Sequence, residues 1–238
     1  MPAQLVRTWA ISINIFIRWT EFDNKKIKGY QMRTLTKKCQ SDITPAMAVD
    51  LLKTGNERFV RNLKVNRNLL QQVNETSEAQ HPFAVIISCM DSRTSAELVF
   101  DQGLGDIFSI RIAGNVINED IIGSAEFGCK VVGAKILVVL GHTGCGAIKG
   151  AINKVELGKL HFITSKIQRC IPSVFKESMT EGDLCQAVTV ANMRQGMADL
   201  LRGSDILSSI VANGEISLVG GIYDVSTGVV SFTHDLRG

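Results

Sequence analysis

A chain of 238 residues, 45% hydrophobic and 21% charged, has the composition of an ordinary globular protein and can close one full core. Its six cysteines lack the regular spacing of a disulfide framework, which argues against a secreted fold and for a reducing, cytoplasmic setting. The net charge of +3 is unevenly held: residues 1–40 carry eight Lys/Arg against Glu21 and Asp23, so the remainder is net acidic and no nucleic-acid partner is expected.

Residues 1–40 do not match the rest and read as an N-terminal extension, disordered or translated from a non-native start, with Met32 as the working start. Residues 9–17 are apolar but too few to span a bilayer, and Asn14 interrupts them, so no membrane partner is expected. Arg7 precedes that run as in a signal peptide, yet no small-x-small cleavage site follows. Residues 41–238 are expected to form a single domain.

In that domain Thr44 and Pro45 mark a helix start, and Ala48, Leu51, Leu52, Phe59 and Val60 define the apolar side of a helix to about residue 62. Residues 66–80 are polar and read as mixed helix and loop. Residues 83–88 form a short β-branched run bounded by Pro82, the pattern of a buried strand. A helix near 95–100, a strand over 106–112 and a helix over 120–132, capped by Asn118 or Asp120, follow. Residues 135–140 repeat the buried-strand pattern, and a helix runs from about 144 to 153. A helical region over 160–212 is expected to break near Pro172 and again near Gly182. The chain closes with a hairpin of strands about a turn at Ser226-Thr227-Gly228. Strands alternating with helices indicate an α/β fold: a mainly parallel central sheet flanked by helices, with an antiparallel edge hairpin at the C-terminus.

The first strand ends in Cys89-Met90-Asp91-Ser92-Arg93 and the later one in Gly141-His142-Thr143-Gly144-Cys145-Gly146. If the two strands are neighbours, Cys89, His142 and Cys145 converge at the carboxyl edge of the sheet, where open α/β folds bind ligands. Two thiolates and an imidazole suit zinc, with one position left open for catalysis or filled in a structural site. Asp91 is either the fourth ligand or a hydrogen-bond acceptor beside the metal. Arg93, two residues on, can take its carboxylate bidentately and draw it away. The bland reading of the pair is a surface ion bridge. The glycines at 141, 144 and 146 do not follow the dinucleotide fingerprint. Cys129, Cys170 and Cys185 read as small buried hydrophobes, and His81, His161 and His234 as surface or structural residues.

A Cys-x-Asp-x-Arg after a buried strand, with His-x-x-Cys-Gly after a later one, resembles the β-class carbonic anhydrases from about residue 43 onward. The resemblance implies a lyase, carbonate dehydratase, hydrating carbon dioxide to bicarbonate with one Zn2+ per chain on Cys89, His142 and Cys145. Asp91 and Arg93 would be the catalytic pair, Asp91 becoming a fourth ligand only in a closed state. It also implies substrate contacts from Gln80, Phe108, Ala113 and Phe127, and a homodimer or dimer of dimers. Arg111 matches a basic position used for a second anion in bicarbonate-regulated members, but Ile86 stands where those carry Trp. Alternatives on the same fold are a carbon disulfide or carbonyl sulfide hydrolase, and a non-catalytic zinc- or bicarbonate-binding protein.

Overall fold

Two aliphatic runs form the centre of the sheet: β1 (Ala84–Ser88) and β3 (Ile136–His142), buried at every residue. A strand covered on both faces reads as a continuous apolar run, and helices cover both faces here. In the computed structural model, which describes residues 34–233, β1 pairs in parallel with β3 and, on its other side, with β2 (Ile107–Arg111). β4 (Ser217–Tyr223) runs parallel to β3, and β5 (Val230–Thr233) lies antiparallel to β4, giving the order β2-β1-β3-β4-β5. The α/β class and the antiparallel C-terminal edge are as the sequence indicates.

The helices are α1 (Lys37–Asp42), α2 (Pro45–Val60), α3 (Leu69–Glu75), α4 (Ala96–Val99), α5 (Glu119–Glu126), α6 (Gly146–Ile152), α7 (His161–Gln168), α8 (Glu181–Gly203) and α9 (Asp205–Ala212). α2 starts as its sequence dictates: the Thr44 side chain accepts from the Met47 N–H, and Pro45 occupies the first turn. Leu51 and Leu52 of α2, with Val99 and Phe100, cover Ile86, Val138 and Leu140 on one face. Ile121 of α5, Met193 and Met197 of α8 and Leu207 of α9 cover Val85, Ile87 and Val139 on the other. At the carboxyl end of the sheet, Ile148 of α6 and Ile167 of α7 pack with Cys89, Val116 and Cys145. The site therefore has a dry floor. Among the described residues no helix is long and apolar enough to cross a membrane.

The structure moves some boundaries. Leu35 is 7% exposed and packs in the core; Gln40 is 1% exposed and its Nε2 donates to the Pro82 carbonyl at 2.7 Å. The folded domain thus begins before residue 41, because a buried leucine and a buried amide bond fasten α1 to the start of β1. The apolar run at 9–17, Met32 and His234 lie outside the described residues. The helical region expected over 160–212 is interrupted from residue 169 to 180, a break that contains Pro172 and ends at the Thr180 cap beside Gly182. Gly182 itself lies in the first turn of α8, under a capping box between Thr180 and Asp183. A second break comes at Ser204, which caps α9 by accepting from the Leu207 N–H. The helix expected over 120–132 starts at Glu119 under an Asn118 cap and widens into a π turn over Phe127–Val132.

A chain beginning at Ser41 is expected to be roughly 2–4 kcal/mol less stable than one beginning at Met32, from the lost burial of Leu35 and the lost Gln40 bond. Urea midpoints measure this, and equal midpoints would place α1 outside the cooperative unit.

Asp106, just before β2, generates a second expectation. Burial pushes its carboxyl up to about 6; its Oδ2 accepts the Gly103 N–H at 2.7 Å, while Oδ1 has no partner. Because the fold binds this proton more tightly than the unfolded chain does, the stabilising contribution is full below the ordinary Asp range. It is lost as pH rises through about 6. Asp106→Asn should therefore add about 1–3 kcal/mol at pH 8, with little gain in acid, read by urea unfolding at the two pH values. Equal stability of the two proteins at pH 8 would show the ionised carboxylate to be well accommodated.

Candidate metal centre

The parallel pairing of β1 with β3 sets Ser88 beside Leu140, so both strands end at one edge of the sheet. Cys89 follows β1 directly, His142 is the last residue of β3, and Cys145 stands at the N-cap of α6. The donor atoms of Cys89, His142 and Cys145 lie within 4.8 Å of one another, and all three residues are buried. Among the described residues no other group of Cys, His, Asp or Glu side chains is gathered this way. Sequence spacing had implied the convergence, and the fold delivers it.

The ring and the sulfurs are prepared for a cation. The His142 Nδ1–H donates to the Thr143 carbonyl at 3.0 Å, which leaves Nε2 as the lone-pair nitrogen. That Nε2 is buried and has no partner. An orphaned buried acceptor facing two thiols 4.0 Å apart fits a metal better than it fits a packed core. The Cys145 thiol, with smaller help from His142 and the Asp91 and Gly114 backbones, pulls the Cys89 thiol down to about 4 despite burial. The adjacent Cys89 sulfur, together with burial, pushes Cys145 the other way. One thiolate is thus favoured, and a second forms only when a cation pays its desolvation.

Further contacts hold the shell. The Gly114 N–H donates to the Cys89 sulfur at 3.3 Å, and the Asn192 side chain donates to the Gly114 carbonyl at 2.8 Å. Gly114 has φ +66°, and a Cβ there would meet Ile167 Cδ1 at 2.8 Å and Ala147 Cβ at 3.1 Å. Only glycine brings this amide to the sulfur without strain.

Asp91 and Arg93 form the pair their spacing suggests. Arg93 Nε and Nη2 donate to the two carboxylate oxygens at 2.9 and 2.8 Å, and the Arg93 backbone N–H adds a third bond at 3.0 Å. Chiefly through those side-chain bonds, Arg93 holds the Asp91 carboxyl far below the usual carboxylate range. Both oxygens are claimed, and Asp91 is not part of the close donor group. Arg111 donates to the backbone carbonyls of Cys89 and Asp91 at 3.3 and 2.6 Å. Its fork is thus occupied by the chain itself, which departs from the anion role its position suggested.

The remaining expected residues divide. Ala113 precedes Gly114, whose amide reaches the Cys89 sulfur. Gln80 is exposed and precedes β1, whereas Cys89 follows it; five strand residues separate them by about 16 Å. Phe108 pairs with Val85, near the start of the sheet, and its ring lies 6.3 Å from that of Phe127. The two rings line a shallow depression with Glu119, Asp120 and Gly123 that contains none of the three donors. One chain does not bring Gln80, Phe108 or Phe127 to its own metal group.

A family model described as carbonic anhydrase matches residues 84–230, more than half of the chain and all three donors. The chain belongs to the β-carbonic anhydrase family. It is 34% identical over 189 residues to carbonic anhydrase 2 of Mycobacterium tuberculosis, covering 77% of this chain and 90% of that protein. A carbonic anhydrase of Mycolicibacterium smegmatis is 33% identical over 198 residues, covering 81% and 95%. The fold likewise resembles a β-carbonic anhydrase structure from Aspergillus fumigatus, at a TM-score of 0.65 and 24% identity over 71% of this chain and 83% of that one. The family is one of lyases, and the donor group, the Asp91/Arg93 pair and the Gly114 amide all fall inside the matched span.

Replacing Gly114 tests the shell of this β-carbonic anhydrase. Gly114→Ala should weaken binding of Zn2+ or Co2+ by about ten- to a hundred-fold, the usual cost of disturbing an outer-shell bond. Competition against a chromogenic chelator measures it. Unchanged affinity would mean that the N–H bond to Cys89 contributes nothing to the metal.

Proposed function

We propose that the chain holds one zinc ion on Cys89, His142 and Cys145 and catalyses the reversible hydration of carbon dioxide to bicarbonate and a proton. The observation that carries this reading is the buried, partnerless His142 Nε2 beside two thiols, next to a carboxylate whose oxygens are both taken by Arg93. Three protein donors leave a fourth position for solvent, the mark of a catalytic rather than a structural zinc. When bound, zinc supplies a Lewis acid that lowers the pKa of water toward neutrality.

The chain's own groups do the rest. An ionised Asp91 is acceptor-only, so it would accept a hydrogen bond from the attacking oxygen and orient that oxygen's lone pair toward the substrate carbon. Arg93 keeps that carboxylate ionised and off the metal. Carbon dioxide is small and apolar, and Val116, packed with Cys89 and Cys145, offers it a greasy wall, with Ala113 one residue before the Gly114 amide.

A homodimer, or a dimer of dimers, accounts for the residues that fall elsewhere. β2 is an edge strand, and Phe127, whose ring meets that of Phe108 on β2, is 54% exposed. A second copy laid along this edge covers apolar surface and brings Gln80, Phe108 and Phe127 of one protomer toward the metal of its partner. There Gln80 donates to an oxygen of the substrate as charge develops on it. A reducing, cytoplasmic setting is part of the reading, because thiols 4.0 Å apart must stay unoxidised to bind the metal.

The test joins metal analysis to stopped-flow hydration. Wild-type protein should carry one zinc per chain, and Cys145→Ser should lose both metal and turnover. Arg93→Ala should keep its metal while turnover falls by about a hundred-fold, the range for one preorganised group. Absence of stoichiometric zinc would sink the reading. Full turnover in Arg93→Ala would reduce the pair to a surface ion bridge, and faster turnover of carbon disulfide than of carbon dioxide would favour the carbon–sulfur alternative.

A further inference from the structure

Arg111 is the last residue of β2, in register with Ser88 and so beside the ligand Cys89. Its Nε donates to the Cys89 carbonyl at 3.3 Å and its Nη2 to the Asp91 carbonyl at 2.6 Å. These carbonyls flank Met90. One planar fork that holds both fixes the two peptide planes relative to each other, which a single ammonium cannot do. The Thr94 hydroxyl lies 2.9 Å from each of the same two oxygens, but it has one proton and serves one of them at a time. Arg111 supplies the donors that hydroxyl lacks.

The turn at residues 89–91 decides where the Asp91 carboxylate points. Arg93 claims that carboxylate bidentately with a side chain that is 52% exposed, and this hold depends on a backbone that presents Asp91 toward Arg93. A divalent cation held by Cys89, two residues before Asp91, would compete with Arg93 for that carboxylate. The exposed pair alone therefore does not keep Asp91 from the metal; the backbone that carries it must be fixed as well. Of the side chains bonded to that backbone, Arg111 alone reaches it from a neighbouring strand.

We propose that Arg111 is a positioning residue: it clamps the turn at 89–91 so that the Asp91 carboxylate faces Arg93 and leaves the fourth metal position to solvent. The proposal rests on the reading of Cys89, His142 and Cys145 as the metal ligands. Without the clamp, the turn rotates and Asp91 closes the site.

Cobalt-loaded protein tests this without reference to turnover. Wild type, Arg111→Ala and Arg111→Lys are loaded with Co2+, and azide is titrated while the visible spectrum is followed. Wild type should bind azide at the open position. Both variants should hold one Co2+ per chain, show a changed spectrum before azide is added, and bind azide at least about tenfold more weakly. Adding Asp91→Asn to either variant should restore azide binding, because the blocking carboxylate is gone; general loosening of the site would not be repaired this way. Arg111→Lys keeps the charge and stem, so it carries the comparison if Arg111→Ala does not fold. Wild-type azide affinity in the variants, or no recovery on adding Asp91→Asn, would overturn the clamp. Loss of Co2+ from a folded variant would also overturn it, assigning Arg111 to the seating of Cys89 instead. A wild type that binds no Co2+ would fail at the earlier step and remove the metal reading itself.

Discussion

The pairing of β1 with β3 is the constraint on which the rest depends. Both strands are buried along their whole length, so each residue's side is set by which helical layer it faces. A slip of one residue would send Val85, Ile87 and Val139 to the wrong face and exchange their partners with those of Ile86 and Val138. The same slip would move Cys89 by a residue relative to His142 and turn its sulfur to the opposite side. Core packing and metal geometry are thus specified by one register. The site inherits its precision from the strands instead of needing a rigid loop of its own.

Around that edge the charges are arranged by burial. The two thiols and the imidazole lie in a dry layer with Val116, Ile148 and Ile167, where neighbouring donors favour one thiolate and burial opposes a second. The three donors leave demands the protein itself does not meet: the Cys89 sulfur and burial together oppose ionisation of Cys145, and the buried His142 Nε2 has no partner. A cation resolves all three at once, which couples metal binding to folding at this end of the sheet. The charged residues that tune the site stand further out, in water. Asp91 and Arg93 meet at the rim, and Arg111 reaches in only as far as two carbonyls.

Much of this was legible in the sequence, for identifiable reasons. Strands buried on both faces announce themselves as unbroken apolar runs, and each of the two ended at metal-binding residue types. The Asp91/Arg93 pair was readable because two residues of spacing suffices for a side chain to reach back. Other features left weak signals. Gly182 and Ser204 show why: a glycine in the first turn of a helix is tolerated when a capping box holds the end, whereas a serine that both ends one helix and caps the next looks like any surface serine. Leu35 and Gln40 lay in a stretch whose basic residues disguised a buried attachment. Arg111 drew attention as a cation, while its bonds are to backbone carbonyls, which no side-chain pattern records. The one available clue to the Gly114 amide was a glycine directly after a strand.

The placement of Gln80, Phe108 and Phe127 follows a different logic. Family resemblance groups residues by position in a motif, but a parallel strand carries its two ends far apart. Gln80 before β1 and Cys89 after it are close in sequence and separated by the full height of the sheet. In this chain β1 stands between them, hydrogen-bonded on both sides. In the proposed dimer the contradiction disappears, because the entrance of one sheet lies against the exit of another. The exposed rings at the β2 edge are then no surface defect. In that dimer they would form the apolar wall a carbon dioxide pocket needs, presented to the metal site of the partner. Catalysis and assembly become one requirement, and a separated protomer would keep its zinc while lacking the wall and the amide that receive the substrate.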